Sequence, residues 1–281
     1  MSRIRSGRIK RNVLQSIIIA GALVMLFLAF VPIMLMIFLS LKSQIQIYGN
    51  FWKLPNPVEW ANYASAVKVL YLNMFNSIFT VGISTAIAVI LSSMSGYVLA
   101  KLDFPGKKAL YLAIVSIMMI PSILTLTPLF KLMEELGLKN SWWALILPWV
   151  TGGQVFGIIL CRTFITEQPT ALFESARMDG ANELQAYSRI ALPLAKPILA
   201  TLVIMNMMGF YNDYVWPLMI ISSTGKQVIT VAVQVFTGSL AKTNIGVMIA
   251  GYVFATLPLL ALFLAGSRLY IEGVTSGAVK S

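Results

Sequence analysis

The sequence contains no histidine and one cysteine, and only 11% of its 281 residues are charged. Each shortage closes off a class of chemistry. Without His and with a lone thiol, no zinc site, disulfide framework or Cys/His nucleophile pair can be assembled. Cys161 lies inside an apolar run and reads as a small buried hydrophobe. A membrane enzyme is disfavoured for the same reasons, there being no metal-ligand cluster and no facing pair of carboxylates. A phosphate-cradling loop, G-x-x-x-x-G-K-[ST], is missing as well. Gly106-Lys107 and Gly225-Lys226 have neither the Gly five residues upstream nor a Ser or Thr after the Lys. Any ATP that drives this protein must be hydrolysed on another chain.

What is present is oil. A soluble domain is about a quarter charged, whereas this chain is 58% hydrophobic with a mean hydropathy of +0.82. Six apolar runs are long enough to cross a bilayer core as helices: Val13–Ser40, Phe75–Ala100, Ala109–Phe130, Trp142–Phe164, Ile198–Ile221 and Ile245–Ser267. The first is too long for a signal-peptide core and has no convincing cleavage site, so it is expected to stay as an anchor. The net charge of +11 does not indicate nucleic acid, because the Lys and Arg sit at the ends of apolar runs and form no single stripe. Fourteen of the 21 fall at the N-terminus (Arg3, Arg5, Arg8, Lys10, Arg11), in the second and fourth loops and in the tail. By the positive-inside rule both termini are then cytoplasmic, and so is the fourth loop.

The first outer loop, about Leu41 to Met74, carries Tyr48, Phe51, Trp52, Trp60 and Tyr63 around two prolines. Such aromatics sit at headgroup level as a rule; a docking surface for an external partner is the other reading. With no internal repeat or low-complexity linker, the chain reads as a basic N-terminus (1–12), one six-helix membrane domain (13–267) and a tail (268–281).

One cytoplasmic stretch, ESARMDGANELQAYSRIALPLAKP at 174–197 within the loop 165–197, is unlike its surroundings in charge and in Gly and Pro content. Pro169 suits the first turn of a helix, with Leu172, Phe173 and Ala176 on one face and Glu174 and Arg177 three apart on another. Asp179-Gly180 closes that helix through a left-handed Gly. Asn182 and Gln185 form a capping-box variant that starts the next, with Leu184, Tyr187 and Ile190 as its apolar stripe and Pro193 as its stop. Each helix is about ten residues, roughly 15 Å, too short to span. The pair is either an amphipathic loop lying on the headgroups or a rigid elbow that passes motion between a cytoplasmic partner and the bundle.

Glu174, Ala176, Asp179-Gly180-Ala181, Ile190 and Leu192-Pro193 resemble the EAA motif of permease subunits of binding-protein-dependent ABC importers, E-A-A-x-x-D-G-A followed after a spacer by I-x-L-P. Ser175 at the second position and Tyr187, where Phe is common, depart from it. LDFPGKKALY at 102–111, IPSILTLTPLFKLMEELGLKNSWWALILP at 120–148, YNDYVWPL at 211–218 and GVTSGAVK at 273–280 look like carbohydrate-uptake permeases, most similar to the second membrane subunit of maltose-type importers. The resemblance implies an all-α, six-helix type I ABC importer permease fold. It also implies that the loop is the coupling segment, with Glu174, Ser175, Ala176, Asp179, Gly180, Ala181, Ile190, Leu192 and Pro193 meeting an ATPase subunit. Gly273, Thr275, Gly277 and Ala278 are implied contacts of the tail with the ATPase pair; a disordered tail is the alternative.

The resemblance further implies a second permease subunit, two ATP-binding subunits and an extracytoplasmic solute-binding protein. The chain would not be an enzyme and would need no cofactor or metal of its own, ATP and Mg being held by those partners. The substrate expected is a sugar, an oligosaccharide in particular; glycerol-phosphate importers share the permease type. Tyr211, Asn212, Asp213 and Trp216 are the candidates for the translocation pathway. Asp213, the one acid within a run and close to Asn206 and Asn212, also supports a rival reading as an ion-coupled secondary transporter. Its place near the outer end of the fifth run, before Trp216-Pro217, favours a structural or gating role.

Overall fold

The computed structural model describes the backbone of residues 2–240 and 244–278 and the side chains of residues 14–238 and 244–267. The described residues form helices joined by turns and short irregular segments, with no strand among them. Four helices are long and apolar enough to cross a membrane: Leu14–Ser40 within α1 (Ser2–Ser40), α3 (Ala61–Lys101), α6 (Trp143–Thr166) and Ile245–Ser267 within α13 (Ile245–Ala278). Between them lie the short α2 (Gln44–Gly49), the limbs α4 (Lys107–Ile117) and α5 (Ser122–Glu135), and the elbow helices α7 to α9. The series is completed by α10 (Lys196–Asn212), α11 (Val215–Ile220) and α12 (Ile229–Leu240).

Three of the six runs take a different form from the one read in the sequence. The second helix starts at Ala61, well before Phe75, so about the last two-fifths of the expected outer loop is helical. The third run is two limbs bent by 97°. Pro121 causes the break: it offers no N–H and pushes Ile120 out of helical backbone. The carbonyls freed at the end of α4 are taken up by i→i−3 bonds from Met118, Met119 and Ile120. The limbs, 11 and 14 residues long, reach roughly 16 and 21 Å, so neither alone covers a core of about 30 Å. The fifth run is α10 followed by α11, interrupted at Asp213-Tyr214. At the break, the Asp213 carboxylate accepts from Trp149 and Trp216.

The chain divides into two compact units, residues 1–69 with 236–254 and residues 70–235 with 255–281. In the first, the side chain of Asn62 donates to the carbonyls of Ser40 and Lys42, and the Ser40 and Tyr63 hydroxyls meet at 2.7 Å. Lys42 is wholly buried and makes no ion pair among the described residues; its ammonium donates to the carbonyls of Asn50 at 2.9 Å and Phe51 at 2.6 Å and lies over the Phe38 ring. Burial lowers its pKa. Tyr48, Trp52 and Trp60 of the outer loop remain exposed.

In the second unit, α3 and α6 meet through small residues four apart on each helix, Ser92 and Gly96 against Gly157 and Cys161. A Cβ on Gly96 would lie 2.6 Å from Cys161 Cβ, and one on Gly157 would lie 2.8 Å from Ser92 Cβ. Close backbone approach of this kind is how helices associate where lipid removes the hydrophobic drive. Both contact pairs advance along the sequence together. The helices therefore run parallel, and their ends at Lys101 and Thr166 lie at one end of the bundle, where the elbow begins. Cys161 is buried at this contact, as its place in an apolar run leads one to expect.

Candidate functional site

The elbow is built by local rules that the sequence displays. Pro169 takes the N-cap position of α7 (Thr170–Met178). The helix ends in a Schellman motif: Ala181 N–H donates to Ala176 O and Gly180 N–H to Arg177 O, with Gly180 at φ +82°. Asn182 then caps α8 (Glu183–Ala186) through the reciprocal box with Gln185, both bonds being 2.9 Å. Pro193 does not stop this helix. The chain widens into a π turn at Tyr187–Ala191 and stays helical through α9 (Leu192–Leu194). The wider turn carries Leu192 N–H back to Tyr187 O, so the chain accepts the missing N–H of Pro193 without breaking there. The break comes at Ala195, where the elbow meets α10 at 78°.

The first two elbow helices each present one buried residue to the bundle, Phe173 and Ala186. Phe173 is completely buried and packs in a cluster with Tyr97 of α3, Cys161 and Ile165 of α6, Ala186, Ala191 and Ala195 of the elbow, and Ile198 and Leu202 of α10. Leu172 and Leu184, expected on the apolar stripes, are instead 44% and 65% exposed. The helices rotate to bury the larger Phe173 ring and the Ala186/Ala191/Ala195 edge, which lets the backbone approach closely. Arg177 does not pair with Glu174; its guanidinium reaches Glu183 at 2.9 Å, across the Gly180 corner.

A single stripe of α3 holds the elbow. Ser93, Tyr97 and Lys101, at i, i+4 and i+8, contact it in succession. The Ser93 and Tyr187 hydroxyls are 2.8 Å apart, Tyr97 OH donates to Glu183 Oε2 at 2.7 Å, and Lys101 Nζ donates to Gln168 O at 2.7 Å. Lys101 also lies 4.6 Å from the centre of the Phe173 ring. Glu183 thus serves Arg177 and Tyr97 at once, and these two hydrogen bonds hold its carboxyl below the usual carboxylate range, Arg177 having the larger effect. The same bond to Glu183 raises Arg177. The sequence reading missed this stripe, although polar residues at helical spacing inside an apolar run are a readable signal.

The opposite face of the elbow is free in this chain. Glu174, Ser175, Asp179, Gly180 and Pro193 are exposed beside Met178, itself 88% exposed, while Ala176, Ala181, Ile190 and Leu192 are half-buried beneath them. The motif therefore has a supporting layer and a presented layer. The tail residues Gly273, Thr275, Gly277 and Ala278 fall on the last turns of α13, and their side chains lie outside the described residues.

A second cluster surrounds the break at Asp213. Its Oδ2 accepts the Trp149 indole N–H at 2.8 Å, its Oδ1 accepts the Trp216 amide at 3.4 Å, and its carbonyl accepts the Thr230 hydroxyl at 2.9 Å. Trp216 is buried with its indole donating to Ala144 O, and Tyr211 is buried with its hydroxyl donating to Ala255 O. Asn212 is exposed and donates to Met208 O. The buried Asn206 points its amide toward Gly153, and its NH2 group has no partner among the described residues. Among the described residues no group of three or more potential metal ligands occurs.

Residues 94–271 match the family described as the binding-protein-dependent transport system inner membrane component. The trehalose transport system permease protein SugB of Mycobacterium tuberculosis is 34% identical, over 90% of this chain and 93% of that protein. The melibiose/raffinose/stachyose import permease protein MelC of Bacillus subtilis is 31% identical, over 89% and 91%. The fold is shared with a bacterial ABC transporter involved in import of the acidic polysaccharide alginate, at a TM-score of 0.78 and 24% identity over 89% of this chain and 95% of that one. The chain belongs to the family of binding-protein-dependent inner membrane components and is an ABC importer permease, a multi-pass membrane protein with the type I permease fold.

Proposed function

We propose that this permease carries a sugar, an oligosaccharide in particular, across the bacterial cytoplasmic membrane as one of two membrane subunits. ATP hydrolysis occurs on two partner subunits, which hold the nucleotide and Mg, and a solute-binding protein delivers the sugar on the other face. The chain itself carries out no catalysis. The carrying observation is the elbow: Glu174, Ser175, Asp179, Gly180 and Pro193 face outward, while Ser93, Tyr97 and Lys101 fix its inner face to α3. Force applied to the presented layer is therefore delivered to one long transmembrane helix and, through the small-residue contact, to α6. Alternating access follows as a rigid-body rearrangement between two packed states.

The substrate class rests on the sugars named for the relatives. Around the broken fifth span, Tyr211, Asn212, Asp213 and Trp216 form the proposed frame of the pathway, with the unpaired amide of Asn206 as a donor for a sugar hydroxyl. An ion-coupled mechanism through Asp213 is the weaker reading, because its carboxylate is already engaged by Trp149 and Trp216.

The test is ATPase activity of the complex that co-purifies with the tagged chain. It is reconstituted with its binding protein and challenged with a panel of oligosaccharides and glycerol phosphates. Stimulation by an oligosaccharide is expected. Stimulation by glycerol phosphates alone would replace the substrate, and the absence of any associated ATPase would overturn the importer reading.

A further inference from the structure

At the same end of the bundle as the elbow, Asp103, Lys107, Lys108, Tyr111, Leu112 and Arg162 line a cavity of about 390 Å³. Its charge is unbalanced. Asp103 is the one acid on the rim, and it is already taken by Lys107 at 3.1 Å, with its own side chain pointing into solvent. Lys108 and Arg162 have no ion-pair partner among the described residues. Arg162 lies four residues before the end of α6, its guanidinium carbon over the Tyr111 ring, 3.9 Å from the centroid. In that position Arg162 Nε is buried and has no hydrogen-bond partner among the described residues. A buried guanidinium N–H left unmade is costly, so the site is short of one hydrogen-bond acceptor. Lys107 and Lys108 open α4, whose N-cap Gly106 supplies no side-chain cap, and the positive end of that helix adds to the same field.

The depth and the apolar border say which anion. Arg162 sits one helical turn inside the end of α6, roughly 6 Å, and the cavity opens beside Leu112, which is 66% exposed, and the exposed Leu110. A Tyr ring and an Arg at this level, bordered by bare leucines, match the boundary between headgroup and acyl chain. We propose that this cavity binds the phosphate of an anionic phospholipid, with Arg162 and Lys108 on the phosphate oxygens and the acyl chains over Leu112. A planar guanidinium suits the phosphate, and basic pockets between transmembrane helices are a recognised form of headgroup site.

The experiment is native mass spectrometry of the full-length chain in detergent, titrated with phosphatidylglycerol, with phosphatidylcholine, and with inorganic phosphate as competitor. Phosphatidylglycerol is expected to be retained in preference to phosphatidylcholine. The double variant Lys108→Gln/Arg162→Gln should weaken that retention roughly thirtyfold, and the exposed single variant Lys108→Gln, which cannot disturb packing, about fivefold. Equal retention of the two lipids would overturn the proposal, as would variants that bind phosphatidylglycerol like the wild type. Displacement of the lipid by inorganic phosphate at millimolar concentration would show a free-phosphate site and overturn the lipid assignment.

Discussion

Tyr97 and Glu183 stand 86 positions apart in sequence and share a 2.7 Å hydrogen bond that ties the transmembrane helix α3 to the second elbow helix. The same carboxylate receives Arg177 from the first elbow helix. One acid therefore sets both the angle of the corner and its attachment to the bundle. Because the Glu183 carboxyl is held below its usual range, its contribution is complete only above roughly pH 5 and is lost as the pH falls through the ordinary carboxylate range and then through the depressed folded value.

Amide hydrogen exchange over residues 183–191 reads that contribution directly. In the wild type, protection should be full at neutral pH, fall as the pH drops through the ordinary carboxylate range, and level off below the depressed folded value. Glu183→Gln should show lower protection at neutral pH and no such transition. Global stability should change little, since Arg177 and Glu183 are each about half exposed. A transition that survives in Glu183→Gln would assign it to another group.

Gly180 tests the corner. Its φ of +82° costs an L-residue about 1 kcal/mol, and no atom lies within 4 Å of where a Cβ would be, so backbone strain is the whole penalty. Gly180→Asn should transport nearly as the wild type does, and Gly180→Ala less well. Gly180→Pro cannot reach this φ and deletes the N–H bonded to Arg177 O. It should insert normally and leave ATP hydrolysis uncoupled from uptake, measured together in vesicles. Wild-type transport by Gly180→Pro would remove the mechanical role assigned to the corner.

At the broken fifth span, Asp213→Asn keeps an acceptor for Trp149 but weakens the bond, whereas Asp213→Leu leaves the indole N–H unmade, at about 1–3 kcal/mol. Uptake should fall in that order. With ATP held constant, none of the three proteins should respond to a proton uncoupler. Uncoupler sensitivity in the wild type would return the mechanism to Asp213.

The contact of α3 with α6 predicts that Gly96→Leu lowers thermal stability in detergent far more than Gly82→Leu in the same helix. A Cβ at Gly96 meets Cys161 at 2.6 Å, whereas nothing lies within 4 Å at Gly82. Equal effects would mean that the close approach contributes little.

Much of this was legible because it is local. The Asp179-Gly180 corner, the Asn182 and Gln185 box and the long apolar runs announce themselves over a few residues, and the motif that begins at Glu174 placed the elbow in its family. What the sequence hid depends on tertiary partners. Leu172 and Leu184 fit an apolar stripe, yet they lost the buried face to Phe173 and to alanines that permit closer packing. Glu174 and Arg177 have helical pairing distance, but Glu183 offered Arg177 a carboxylate already oriented by Tyr97. Pro193 is a helix stop by rule, and a π turn absorbed it. The bend in the third run was within reach, because Ile120-Pro121 sits in the middle of it.

The central claim, that the outward layer of the elbow receives the motion of an ATPase subunit, is tested most directly by site-specific cross-linking from Met178→Cys in the assembled complex. Met178 is 88% exposed beside Asp179 and Gly180, and the native Cys161 is buried and will not compete. The account predicts a cross-link to the ATPase subunit whose yield changes with bound nucleotide, and loss of uptake once it forms. A cysteine at 178 that reacts freely with water-soluble reagents, yields no cross-link in any nucleotide state and leaves uptake intact would contradict it.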